Sequence, residues 1–207
     1  MTLKKTLMSG LMAVAIGLFG ISNASASVTT GDMAPNFTAT DTKGNTVDLN
    51  ALQGKTVVLE WINYGCPYVR KHYDSSNMQD LQAKYASDDN IAWIGVMSSA
   101  EGKEGYYDSD EAANTAATEE NAMYTHLIRD TSGEIGKLYG ASVTPHMFVI
   151  DDTGKLVYQG GIDDKPSASP KTLEGATNYV DEALTALKNG SEITVSDSKP
   201  YGCSVKY

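Results

Sequence analysis

Cysteine is scarce in this chain. There are two, Cys66 and Cys203, and they lack the CxxC spacing, so a bond between them would close a long loop across the domain. The three histidines, His72, His126 and His146, form no spaced metal motif, and no metal or cofactor site is expected from them. Basic residues are outnumbered: 16 Lys and Arg stand against 26 Asp and Glu, for a net charge of −10. That balance argues against nucleic acid or an anionic membrane surface as a partner. Internal repeats and long low-complexity tracts are missing. The apolar stretch Leu7 to Phe19 is short for a membrane span and is interrupted by Gly10 and Gly17.

What that stretch fits is an export signal. Lys4 and Lys5 form a positive start, the apolar run follows, and Ala24-Ser25-Ala26 is a small-x-small cleavage site. Cleavage after Ala26 is expected, leaving a periplasmic or secreted protein with no membrane attachment; an uncleaved N-terminal anchor is the alternative. The lost segment takes two lysines and no acid with it, which deepens the negative charge. The remaining length suits one compact domain over 27–190, followed by a tail, 191–207, that carries Cys203. An oxidising compartment would let a disulfide persist.

Along that domain the pattern alternates. Short strands are expected at Phe37 to Ala39 and Thr46 to Leu49, around a turn at Asp41 to Asn45. Residues 56–62 are apolar almost throughout, which suits a strand buried on both faces. A helix follows from Pro67 to about Tyr73, breaks at Asp74-Ser75-Ser76-Asn77, and resumes from Met78 to Tyr85. Ile91 to Met97 is a second buried strand. A helix capped by Asp108 or Ser109 runs to about Met123, His126 to Arg129 is a short strand, and Gly133 to Tyr139 is a short helix. His146 to Ile150 and Lys155 to Gln159 flank the turn Asp151 to Gly154 as a hairpin. Helical spacing from Leu173 to Leu187 marks the last helix, and the segment Ser27 to Met33 reads as loose. The order implies a three-layer α/β sandwich whose mixed central sheet is flanked by helices.

Cys66 is the residue around which chemistry gathers. It follows the first strong strand, and Pro67 takes a natural first helical position, so the sulfur falls at a helix start where a thiolate is favoured. The alternative is an inert buried cysteine packing as a small hydrophobe.

The strand-helix order, Glu60-Trp61, Asn63, Gly65-Cys66-Pro67-Tyr68-Val69-Arg70-Lys71-His72, Thr144-Pro145-His146, Gly161-Ile162-Asp163-Asp164 and Tyr201-Gly202-Cys203 together resemble the thioredoxin-like superfamily. The likeness covers roughly 34–190. Within the superfamily the chain is most similar to the peroxiredoxin-like branch (redoxin, alkyl hydroperoxide reductase/thiol-specific antioxidant) of exported bacterial proteins. There are departures. A thioredoxin has a second cysteine where Val69 stands, and a typical peroxiredoxin has proline and threonine where Leu59 and Asn63 stand.

The resemblance implies roles. Cys66 attacks a peroxide or a disulfide sulfur. Glu60 matches a buried acid that moves protons, with a raised pKa; a strand-edge glutamate reaching water is the alternative. Thr144-Pro145 matches a cis-proline loop beside the cysteine, against an ordinary trans proline. Asn63 would offer an amide donor, and Arg70, one turn after Cys66, would steady the thiolate or a bound anion unless it is a solvated surface cation. Cys203 either resolves the oxidised Cys66 or pins the tail as a structural disulfide. The many tyrosines read as packing and surface. Two functions follow: an exported antioxidant thiol oxidoreductase recycled by an external thiol reductant, or a non-enzymatic binding module on the same fold that handles a peptide or a metal-loaded partner.

Overall fold

The computed structural model describes residues 28–207; the expected signal segment and its cleavage point lie outside them. A hairpin of β1 (Thr38–Thr40) and β2 (Thr46–Asp48) precedes the most apolar run, which forms β3 (Thr56–Trp61). After α1 (Pro67–Tyr73) and α2 (Asn77–Ala86) comes β4 (Ile91–Met97), then α3 (Asp110–Glu119), β5 (His126–Arg129) and α4 (Glu134–Tyr139). The chain continues through β6 (Val143–Thr144), β7 (His146–Ile150), β8 (Leu156–Gly160), α5 (Tyr179–Asn189) and β9 (Cys203–Ser204).

The central sheet has the order β5-β4-β3-β7-β8. Its β3, β4 and β5 are parallel, while β7 and β8 are antiparallel additions. Strand alternation explains why β3 must be covered twice. Val58 and Ile62 enter one core, with Tyr73, Met78, Leu81, Ala113 and Leu184 from the helices α1, α2, α3 and α5. Val57, Leu59 and Trp61 enter the other, with Phe37, Val47 and Tyr139 from the hairpin and α4. The result is a three-layer α/β sandwich with a mixed sheet, as its sequence predicts.

Several boundaries differ from expectation. The break between α1 and α2 falls within the expected segment, at Ser76 with a left-handed φ of 61°, but α2 resumes at Asn77, one residue before the expected Met78. α3 stops at Glu119, short of Met123, because Asn121 turns left-handed with φ 53°. The last helix begins at Tyr179 rather than Leu173. Gly175 has φ 69°, and the Asn178 side chain accepts from the Asp181 N–H at 3.0 Å, a new helix start that apolar spacing alone does not reveal. Nor are residues 28–33, the described part of the segment expected to be loose, without anchorage: Gly31 donates to the Leu156 carbonyl, and Leu156 donates to that of Asp32. Residues 191–207 return across the domain. Ser198 bonds Gln159, and the far end of the tail forms β9 against β6.

Candidate active site

Cys66 is the N-cap of α1 and is 0% exposed. The Asn63-Tyr64-Gly65 turn sets it there: the Cys66 N–H donates to the Asn63 carbonyl at 2.9 Å, and the Gly65 N–H donates to Asn63 Oδ1 at 2.9 Å. Gly65 has little room for a side chain, since a Cβ would sit 2.8 Å from Glu104 Oε1. From the other side the Thr144–Pro145 bond is cis, as expected, and brings the Thr144 carbonyl to 3.1 Å from Cys66 Sγ.

The tail completes the site. β9 pairs antiparallel with β6, placing Cys203 opposite Thr144 and Ser204 opposite Val143. Cys203 Sγ lies 2.7 Å from Cys66 Sγ, and both cysteines are free thiols in this structure. The two sulfurs have opposite electrostatics. Burial pushes the Cys66 thiol up, but hydrogen bonds from the Cys203 thiol and from the Val69 and Cys203 N–H groups hold it below the usual cysteine value. The Cys203 thiol is pushed up by burial and by the negative charge it faces on Cys66 and Glu104. Thr144 Oγ1 is buried with no hydrogen-bond partner of its own, and it too favours the charged Cys66 sulfur.

Glu60 is the second centre. Its face, which strand alternation left open, is inward: the residue is 0% exposed. Trp93 Nε1 donates to one carboxylate oxygen at 2.7 Å and Gln82 Nε2 at 3.1 Å, while the Tyr73 hydroxyl donates to the other at 2.8 Å. Burial outweighs these three bonds and raises the carboxyl to about 7. From Tyr73 the hydroxyls continue to Tyr124 at 2.6 Å and on to Tyr64 at 3.1 Å, two residues ahead of Cys66. A cleft of about 230 Å³ borders Gln82, Trp93 and Tyr124, so this polar chain lies next to solvent. The tyrosines read as packing thus include three that align their hydroxyls on Glu60. No spacing rule marks them, because they come from the site turn, α1 and the loop before β5.

The remaining candidates lie further out. Asn63 is present but spent: its oxygen holds Gly65, and its amide nitrogen faces the Glu104 carbonyl at 3.5 Å. Arg70 pairs with the carboxylates of Asp74 and Glu120 rather than with the sulfur. Arg129, the other arginine, donates to Asp110 and to the Tyr107 carbonyl. Leu59 belongs to the opposite core from Cys66. Among the described residues no group of three His, Cys, Asp or Glu side chains is placed to hold a metal ion.

A further cluster, missed in sequence, ties α1 to the tail. Lys71 Nζ, fully buried, meets Asp163 Oδ2 at 2.8 Å, the Lys165 carbonyl at 2.8 Å and the Tyr201 hydroxyl at 3.1 Å. Tyr201 OH also donates to Asp163 and lies 3.3 Å from His72 Nε2. The root of the tail is therefore fixed two residues before Cys203.

Residues 29–176 match the family Redoxin. The chain is a redoxin. Among relatives of this redoxin, the thiol-disulfide oxidoreductase ResA of Bacillus thuringiensis subsp. konkukian (strain 97-27) is 28% identical over 129 residues, covering 62% of this chain and 68% of its own. The crystal structure of an uncharacterized conserved protein from Geobacillus kaustophilus superposes with a TM-score of 0.72 at 27% identity, covering 86% of this chain and 92% of its own. A hypothetical protein from Sinorhizobium meliloti 1021 superposes with a TM-score of 0.69 at 22% identity, over 88% of this chain and 96% of its own, and carries the fold alone. The thioredoxin-like fold and the redoxin branch expected from the motifs both hold.

Proposed function

We propose that this redoxin is an exported thiol-disulfide oxidoreductase whose dithiol is Cys66 and Cys203. The observation that carries the reading is the 2.7 Å approach of the two sulfurs at the start of α1. The name of the ResA relative supplies the reaction class. Cys66, the more acidic thiol, is the nucleophile; it attacks a substrate sulfur, and one substrate thiolate leaves. Cys203 then attacks Cys66 Sγ, closes the intramolecular disulfide and expels the second substrate thiolate. An external thiol reductant reopens the pair. Glu60, with a carboxyl near neutrality, exchanges the protons these steps release and consume, through Tyr73, Tyr124 and Tyr64.

Disulfide exchange is favoured over peroxide reduction by what surrounds the sulfur. Both arginines are drawn to carboxylates, Asn63 is committed within its own turn, and Leu59 points to the other core. Mass spectrometry with thiol counting tests the reading. Reduced protein mixed with one equivalent of a disulfide substrate is expected to lose two thiols and gain one Cys66–Cys203 bond, and Cys66→Ser to abolish turnover. Rapid loss of the same two thiols to hydrogen peroxide, at a rate the disulfide does not match, would move the reading to peroxidase. Retained turnover in Cys66→Ser would end it.

A further inference from the structure

Both thiols take their positions from one helix. Cys66 caps the start of α1, and Lys71 and His72, further along the same helix, hold the tail that carries Cys203. The link is Tyr201. Lys71 Nζ donates to its hydroxyl at 3.1 Å, the hydroxyl donates to Asp163, and His72 Nε2 lies 3.3 Å away. The ring packs edge-on to Tyr68 with centroids 5.9 Å apart, and Lys71 Nζ stands 5.2 Å from its centre. Asp163 is braced in turn by the Lys165 N–H at 2.9 Å and by a backbone bridge to Asn178, at the start of α5. Apolar packing would hold a chain here at lower cost, because two buried charges lose their water. What the charges add is direction. Their hydrogen bonds fix one position of the hydroxyl, and with it the backbone two residues before Cys203.

We propose that Tyr201 is a positioning residue for the dithiol: its lock on Lys71 and Asp163 holds Cys203 at Cys66 and makes the pair a reductant. This deepens the dithiol reading and rests on it. Gly202 is the one residue between lock and thiol, with φ 153°, and its backbone runs so close to Thr144 that a Cβ would overlap the carbonyl oxygen. Glycine is the loosest residue in a chain, so stiffness at Cys203 comes from Tyr201 and not from the joint. After Cys203 the chain has only the two-residue pairing of β9 with β6, which is marginal alone, and contacts that end at the exposed Tyr207. Without the tyrosine the tail is next held at Ser198, whose N–H donates to the Gln159 carbonyl at 3.0 Å and whose hydroxyl accepts from the Gly161 N–H at 3.0 Å. The free segment grows from Gly202 alone to residues 199–202. A thiol on a flexible linker has an effective concentration of about millimolar, and an oriented one stands far higher.

Exchange with glutathione reads this quantity directly. The Cys66 thiolate attacks one sulfur of oxidised glutathione, its S–S bond breaks, and one glutathione leaves as a thiolate with the electron pair. Cys203 loses its proton and attacks Cys66 Sγ, and the second glutathione leaves as a thiolate. Two electrons pass from the dithiol to glutathione disulfide. The equilibrium constant has units of concentration and measures how firmly Cys203 is held at Cys66; a large constant is a strongly reducing dithiol. Removing Tyr201 takes the lock from both redox forms, but only the reduced tail gains freedom in return. The disulfide form therefore loses more, and the equilibrium moves toward the dithiol.

The test equilibrates the full chain with mixtures of reduced and oxidised glutathione and counts its thiols by mass spectrometry. Tyr201→Ala is expected to lower the constant about a hundredfold, which is a potential about 60 mV higher, and to let the Cys66–glutathione adduct accumulate. Tyr201→Phe keeps the ring against Tyr68 and loses only the hydroxyl. It is expected to lower the constant about fivefold, the size of one net hydrogen bond, and decides the matter if Tyr201→Ala does not fold. Tyr207→Ala, at the exposed end of the tail, is expected to move the constant less than Tyr201→Ala does; an equal or larger effect would place the lock elsewhere and overturn the proposal. A constant unchanged or raised in the Tyr201 variants, with reduced and oxidised forms equally destabilised toward denaturant, would show that Tyr201 serves only the fold. That result overturns the lock and leaves the dithiol intact. A wild-type chain that forms no Cys66–Cys203 bond at any glutathione ratio would overturn the dithiol reading, and the lock with it.

Discussion

Thr144 serves the site twice. Its carbonyl lies 3.1 Å from Cys66 Sγ, and its hydroxyl is buried with no hydrogen-bond partner. A buried hydroxyl without a partner costs stability, and charge on the sulfur is what it is placed to favour. Thr144→Val keeps the shape and removes the hydroxyl. The Cys66 thiol is then expected to titrate at higher pH, read from its thiolate ultraviolet absorbance, while thermal stability does not fall. An unchanged titration with a lower melting temperature would mean that the hydroxyl serves the fold and not the sulfur. Cys66 was legible because it sits in a local pattern of strand, turn and helix start; the cis bond at Pro145 and the inward Glu60 were expected from the family resemblance, since local pattern alone left a trans proline and a water-facing glutamate open. The partners of Glu60 were not legible. Tyr73, Gln82 and Trp93 reach its carboxylate from three separate elements, and only packing brings them together.

Between elements, a buried ion pair fastens α1 to the loop after β8 and to the tail. Lys71 and Asp163 side chains are 0% and 2% exposed, so each charge has the other and Tyr201 in place of water. Removing one member strands a charge; removing both does not. Lys71→Met alone is expected to cost about 3–5 kcal/mol in denaturant unfolding, and adding Asp163→Leu to return most of that loss. A double variant as unstable as the single would show that the pair acts through packing. The hydrophobic periods fixed most helices and strands, yet the 191–207 segment read as a tail because it has no period. Its order comes from Tyr201, from pairing with β6 and from Tyr207, which are contacts across the molecule. Arg70 misled for a related reason: one helical turn places it near Cys66 in sequence, but Glu120 and Asp74 capture it.

For the whole molecule, three buried groups contribute to how stability follows pH between about 4.5 and 7. His72 and His146 are lowered from 6.5 to about 4, each chiefly by burial, so they stay neutral in the fold at pH values where the unfolded chain protonates them. Their contribution is present above 6.5 and is lost as pH falls toward 4. Glu60 works in the opposite sense. Its carboxyl rises from 4.5 to about 7, so the fold holds a proton that the unfolded chain releases. Its contribution is complete below 4.5 and is lost as pH climbs through 7. Between 4.5 and 6.5 the unfolded chain binds two more protons on the histidines and one fewer on Glu60, and stability rises with pH. Above 6.5 the two histidines no longer change, while the Glu60 contribution continues to fall until about 7. Glu60→Gln removes that titration without emptying the site. The stability difference between Glu60→Gln and the wild type, measured by denaturant unfolding at about pH 4.5 and about pH 8, is expected to shift toward the variant by about 3 kcal/mol on going alkaline. Any fixed cost of mispaired hydrogen bonds to the glutamine cancels in that comparison. A difference that does not change with pH would mean that Glu60 is ionised throughout, and the proton exchange assigned to it would have to pass to another group.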